Sequence, residues 1–170
     1  MMQNPDEQSA EILAERIIQL YTREQLKIAT AESCTGGLLA AYLTGVSGSS
    51  ATFERGFISY SNQSKTDLLD VPPQLIEKFG AVSPEVATQM ALGILENSKA
   101  DCALSITGIA GPTGGSLEKP VGLVFFGFSQ KQGRTFSEKK LFPPNLSREG
   151  IRLHSAHYAL QIFEREISNL

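Results

Sequence analysis
Apolar side chains return every three or four positions near the start of the chain, at Ala10, Leu13, Ile17 and Leu20. That spacing predicts a helix with one buried face over residues 8–23. The pattern then changes. Residues 26–31 read as a strand and 35–45 as a helix closed by Gly45, and residues 46–50 form a small polar loop. A second strand is expected over 53–60, with its bulk at Phe57, Ile58 and Tyr60. Asn62 is placed to cap a short helix through Asp70, which Pro72 and Pro73 end. Ser83 followed by Pro84 is a cap with proline at the first helical position, and Val86, Ala87, Met90, Ala91 and Ile94 supply a buried face. Strands are expected over 103–107, 121–128 and 135–142. The strongly apolar 121–128 reads as the central one, and residues 131–134 as a hairpin turn. A glycine-rich loop spans 108–119. Ser147 is placed to cap a last helix whose stripe is Leu153, Ala156, Leu160, Phe163 and Ile167.

Strands and helices alternate first, and a hairpin follows. The pattern implies an α/β protein: a three-layer α/β/α domain around a mixed, mainly parallel sheet. No internal repeat or linker divides the chain, so residues 1–170 are expected to form a single domain.

Composition narrows the classes of function. The net charge is −3, which argues against a nucleic-acid footprint. Cys34 and Cys102 are the only cysteines, too few for a disulfide framework or a structural zinc site. Residues 1–7 are polar and acidic, unlike a signal peptide. No apolar run approaches the roughly 20 residues that span a bilayer. A cytoplasmic protein without membrane or nucleic-acid partners is the expectation.

The chemistry concentrates in Thr30-Ala31-Glu32-Ser33-Cys34-Thr35-Gly36-Gly37, between the first strand and the second helix. A small polar turn there sets a hydroxyl or thiol beside backbone N–H groups at a helix start, where an oxyanion or phosphate is held well. Ser33 reads as a nucleophile or as a helix cap, and the two roles are compatible. Cys34 is the rival nucleophile, though a buried thiol is more often packing. Thr35, Gly36 and Gly37 would offer their N–H groups to substrate. Lys65, early in a helix, is the candidate base. The helix dipole and burial both favour its neutral form, although taken alone an exposed, solvated lysine is the commoner case. Tyr60 either packs or meets a ligand. Thr107, Gly108 and Gly111 begin the glycine loop after a strand, where open α/β sheets collect ligands. The loop is neither a Walker loop nor GxGxxG. Arg148 and Arg152, one turn apart, either clamp a phosphate or form a solvated face. His154 and His157 lack the companions of a metal site.

Several strings now stand in order: the 30–37 segment, Phe53-Glu54-Arg55-Gly56-Phe57-Ile58-Ser59-Tyr60-Ser61-Asn62, Gly80-Ala81-Val82-Ser83, Ser105-Ile106-Thr107-Gly108-Ile109-Ala110-Gly111-Pro112 and Lys119-Pro120-Val121-Gly122. Together they resemble the C-terminal domain of the competence/damage-inducible CinA family from about residue 10 to 165. The resemblance implies hydrolysis of nicotinamide mononucleotide (NMN) to nicotinate mononucleotide and ammonia, in pyridine nucleotide salvage. It implies a serine nucleophile at Ser33 and a lysine base at Lys65, with Tyr60 beside them. It further implies a pocket including Thr107 and Gly108, an arginine matched by Arg148, no metal or cofactor, and a homodimer or higher homo-oligomer. Larger members carry a further N-terminal domain associated with pyrophosphatase activity, for which these 170 residues leave no room. Two other functions stay open on the residues themselves. One is a non-catalytic nucleotide-binding module that works with a partner enzyme. The other is an amidase for a different small amide.

Overall fold
The computed structural model describes residues 9–169. Residue 8, where the first helix was expected to begin, lies outside them, as does the acidic segment 1–7. Helix α1 (Ala10–Arg23) starts after Ser9, whose hydroxyl accepts from the Ile12 N–H. There follow β1 (Ile28–Glu32), α2 (Leu38–Thr44), a 3-10 turn (Ser49–Ala51), β2 (Phe53–Ile58), α3 (Asn62–Leu69), α4 (Pro73–Phe79) and α5 (Pro84–Glu96). Then come β3 (Cys102–Gly108), β4 (Leu123–Gln130), β5 (Thr135–Leu141) and α6 (Arg148–Ile167).

The sheet order is β2-β1-β3-β4-β5. β1 is parallel to β2 and β3, while β4 is antiparallel to β3 and β5. Four strands therefore share one direction and β4 alone runs against them. β3, not the apolar 121–128 stretch, is central. That stretch is apolar because β4 is covered on both faces, although only the edge strand β5 lies beyond it.

Alternation along the strands builds the layers. Ile28, Cys102, Leu104, Ile106, Val124, Phe126 and Phe128 point into a core shared with α1, α2 and α6. Ala29, Ala31 and Ala103 point the other way, into a core with Leu69, Ile76, Met90 and Ile94 of α3, α4 and α5. Small residues on that second face let α5 settle close to the sheet. A Cβ on Gly127 would lie 2.0 Å from the Ala87 carbonyl oxygen, which instead accepts the Ser105 hydroxyl at 2.6 Å. The result is the expected α/β/α sandwich.

Four local expectations change. Ser61, not Asn62, caps α3 through the Ser64 N–H. The proline pair expected only to end α3 also starts α4, because Pro73 occupies a first-turn position that needs no N–H donor. Strand β2 stops at Ile58, so Tyr60 stands in the connection that follows it. On α6 the buried stripe begins at Ile151, while Leu153 is 39% exposed.

Candidate active site
The carboxyl ends of β1 and β3 and the connection after β2 meet at one edge of the sheet, where an open α/β fold places ligands. Ser33 is the first residue past β1. Its N–H donates to the Ile106 carbonyl at 3.0 Å, which anchors the turn to β3. Gly36 and Gly37 then take φ of +60° and +103°, a left-handed bend that L side chains resist. The helix expected from residue 35 consequently begins at Leu38, and Ser33 does not cap it.

The cap comes instead from Glu32. Its carboxylate accepts from the Leu39 N–H at 2.8 Å and the Ala40 N–H at 3.1 Å. The side chain is 1% exposed, and its charge sits against the positive end of α2. The start of α2, expected to be open to a phosphate or oxyanion, is thus already filled. An acidic residue closing an otherwise apolar strand was the available signal.

Lys65 comes from α3 and reaches Ser33. Its Nζ stands 3.1 Å from Ser33 Oγ, 2.9 Å from the Ser59 carbonyl oxygen and 3.3 Å from that of Tyr60. Both side chains are buried, Lys65 at 1% exposure. Burial pushes the Lys65 ammonium down to about 8, opposed in part by the nearby Cys34. Burial pushes the Cys34 thiol up to about 12, with Glu32 adding to the rise, so at neutral pH it stays protonated and is a poor nucleophile.

Ser33 and Lys65 open onto a cleft of about 260 Å³. Of the other expected residues, Tyr60, Thr107, Gly108, Gly111 and Arg148 line it, and Asn62 joins them. The Tyr60 ring is exposed, and its phenol accepts from Arg148 Nη2 at 3.0 Å. Arg148 Nη1 donates to the Gly111 carbonyl at 2.8 Å, so this guanidinium bridges two walls of the cleft. The Thr107 hydroxyl donates to the Ala81 carbonyl at 2.8 Å. Gly108 is small for the sake of β4: a Cβ there would lie 2.7 Å from Val124 Cγ2.

Thr35, Gly36 and Gly37 do not line the cleft. Thr35 is fully buried, Gly36 lies against Arg152, and Gly37 lies against Ile58. Arg152 does not pair with Arg148 as a clamp. Its Nε donates to the Cys34 carbonyl and its Nη2 to the Thr35 carbonyl, each at 3.1 Å. A larger groove, about 410 Å³, opens between α1 and α2, but Glu11 and Glu15 line it and none of the expected site residues does. Among the described residues no group of three or more His, Cys, Asp or Glu could hold a metal ion, and no helix is long and apolar enough to cross a membrane.

An α/β/α domain with a buried hydroxyl–amine pair at its strand ends, facing a cleft with an arginine across it, is built as a small-molecule enzyme. The chain belongs to the CinA C-terminal domain family, which it matches over residues 10–167. It is 51% identical over 139 residues to the nicotinamide-nucleotide amidohydrolase PncC of Enterobacter agglomerans, covering 82% of this chain and 84% of that protein. It is 44% identical over 149 residues to the protein of the same name from Escherichia coli K12, covering 88% and 89%. The crystal structure of the competence/damage inducible protein CihA from Agrobacterium tumefaciens superposes with a TM-score of 0.90 at 44% identity, covering 97% of this chain and 98% of that one.

Proposed function
We propose that this protein hydrolyses the carboxamide of NMN to nicotinate mononucleotide and ammonia, with Ser33 as nucleophile and Lys65 as base. The relatives named as nicotinamide-nucleotide amidohydrolases support the substrate class. One observation carries the mechanism: the three partners of Lys65 Nζ are two carbonyls and one hydroxyl. A carbonyl only accepts. An uncharged amine therefore spends its two N–H bonds on Ser59 and Tyr60, and its lone pair has the Ser33 O–H to receive. With the ammonium titrating at about 8, roughly a tenth of the molecules hold that form at pH 7.

Lys65 takes the Ser33 proton as Oγ attacks the carboxamide carbon. The tetrahedral oxyanion is held by the backbone N–H of Cys34, the residue that follows the nucleophile and lines the cleft. Lys65 returns the proton to the departing nitrogen, ammonia leaves, and an acyl ester remains on Ser33. A water that gives its proton to Lys65 attacks the ester, and Lys65 returns that proton to Ser33 Oγ as the ester bond breaks and nicotinate mononucleotide leaves. Arg148 holds the 5′-phosphate, and the Tyr60 ring lies where a cationic pyridinium can stack.

The test is ammonia release by the purified chain from NMN, nicotinamide riboside and a panel of small amides. Release from NMN well above the riboside supports the reading. No release from NMN, with the nucleotide bound intact, favours a non-catalytic nucleotide-binding module. Release from another amide alone makes it a different amidase.

A further inference from the structure
We infer that Arg152 is a positioning residue that fixes the nucleophile turn and polarises the peptide N–H that receives the oxyanion. The inference rests on the acyl-transfer reading above. Arg152 comes from α6, half-buried, behind the nucleophile turn and away from the cleft wall. Its two bonds, Nε to the Cys34 carbonyl and Nη2 to the Thr35 carbonyl, commit the guanidinium to main chain, not to a substrate phosphate.

Each carbonyl is conjugated with the N–H of the next residue. The bond to the Cys34 carbonyl therefore draws electrons from the Thr35 N–H. The bond to the Thr35 carbonyl draws them from the Gly36 N–H, which itself donates to the Ser33 carbonyl at 3.1 Å. The Ser33 carbonyl is conjugated in turn with the Cys34 N–H. One guanidinium thus feeds the donor that lines the cleft, the Cys34 N–H, through Gly36. Linked hydrogen bonds strengthen one another by about 10–30% each, and a buried setting raises what each is worth. Ser33, Cys34 and Thr35 are all buried.

The dipole of α2 is not free to do this work. The Glu32 carboxylate occupies its first N–H groups and opposes its positive end. The left-handed bend at Gly36 closes the relay: it turns that N–H back onto Ser33, and even a Cβ there would sit only 3.4 Å from Arg152 Nη2. Turn and arginine form one unit.

Arg152→Met and Arg152→Lys test this through two readouts. The first is the kinetics of NMN hydrolysis across pH. The second is acylation of Ser33 by 4-nitrophenyl acetate, followed by intact mass, which does not depend on NMN being the substrate. In Arg152→Met, kcat and the acylation rate fall about tenfold or more, since losing a whole oxyanion donor costs 10²–10³. KM stays within about threefold, and the pH limb set by Lys65 does not move. Arg152→Lys, which keeps the charge and loses the fork, falls between, and it decides the matter if Arg152→Met does not fold. Folded variants with wild-type kcat and acylation rate overturn the inference. So does a raised KM with kcat retained, or a displaced pH limb. If the wild type is acylated but releases no ammonia from NMN, and Arg152→Met slows acylation, the substrate reading falls and the role of Arg152 stands. A wild type that is neither acylated nor active on NMN overturns both.

Discussion

Lys65 Nζ stands 3.1 Å from Ser33 Oγ, and among the described residues its other hydrogen-bond partners are the main-chain carbonyls of Ser59 and Tyr60. Among the described residues no carboxylate pairs with the amine, so burial depresses its basicity, opposed only in part by the nearby Cys34.

Ser33→Ala is expected to lower turnover of NMN by about 10⁴-fold or more, as loss of a serine nucleophile does elsewhere. Cys34→Ala keeps most of the activity, because the Cys34 thiol stays protonated far above neutral pH. Steady-state ammonia release, with circular dichroism to check folding, decides. The reverse ranking transfers the nucleophile to Cys34.

The dependence of kcat/KM on pH follows from the base. Lys65 works uncharged, so the rate rises tenfold per pH unit on the acid side and levels off above about 8. Arginine cannot give up its proton at working pH, so Lys65→Arg is inactive throughout. A flat profile between pH 6 and 9 removes Lys65 from the role.

Stability carries the same signature. The Lys65 ammonium titrates near 8 in the folded chain and near 10.5 when unfolded. Between those values the unfolded chain binds more protons, so folding grows more favourable as pH rises through that window. Cys34 acts oppositely above about 9, because its thiol is pushed up to about 12 on folding. The contribution of Lys65 is therefore read as a difference. Urea midpoints of wild type, relative to Lys65→Met, increase from pH 8 to 10.5. An unchanging difference contradicts the burial argument.

Glu32→Ala removes the acceptor for two N–H groups of α2, one buried and one part-buried. Charge-assisted bonds of this kind are worth about 1.5–3 kcal/mol each, so a loss of about 3 kcal/mol is expected in urea denaturation. Glu32→Gln, which keeps an acceptor oxygen, loses less. Equal losses in the two variants contradict the capping role.

Arg148→Ala raises KM for NMN about tenfold and changes turnover of nicotinamide riboside much less, since a guanidinium–phosphate contact is a charge-assisted pair. Parallel titrations of the two substrates decide. Equal effects on both place Arg148 with the sugar or the Tyr60 ring, not the phosphate.

The sequence by itself determined the α/β/α layering, because periodicity registers which face of each element is buried: Val86, Met90 and Ile94 on α5, and the alternation along β3. It also pointed to the short strings that line the cleft, since Ser33 and the glycine loop lie in small polar or glycine-rich segments directly after strands. Only the tertiary structure decided the rest. Ser33 and Lys65 are 32 residues apart, and the burial that lowers the basicity of the lysine comes from elements far from it in the chain. The partners of Arg152 were illegible for a related reason. They are main-chain carbonyl groups, which every residue possesses and which leave no mark in the order of side chains. Thr35, Gly36 and Gly37 read as ligand donors until the left-handed bend turned two of them toward Arg152 and Ile58. Backbone direction at a glycine is set by what must be packed around it, and that information exists only once the chain has folded.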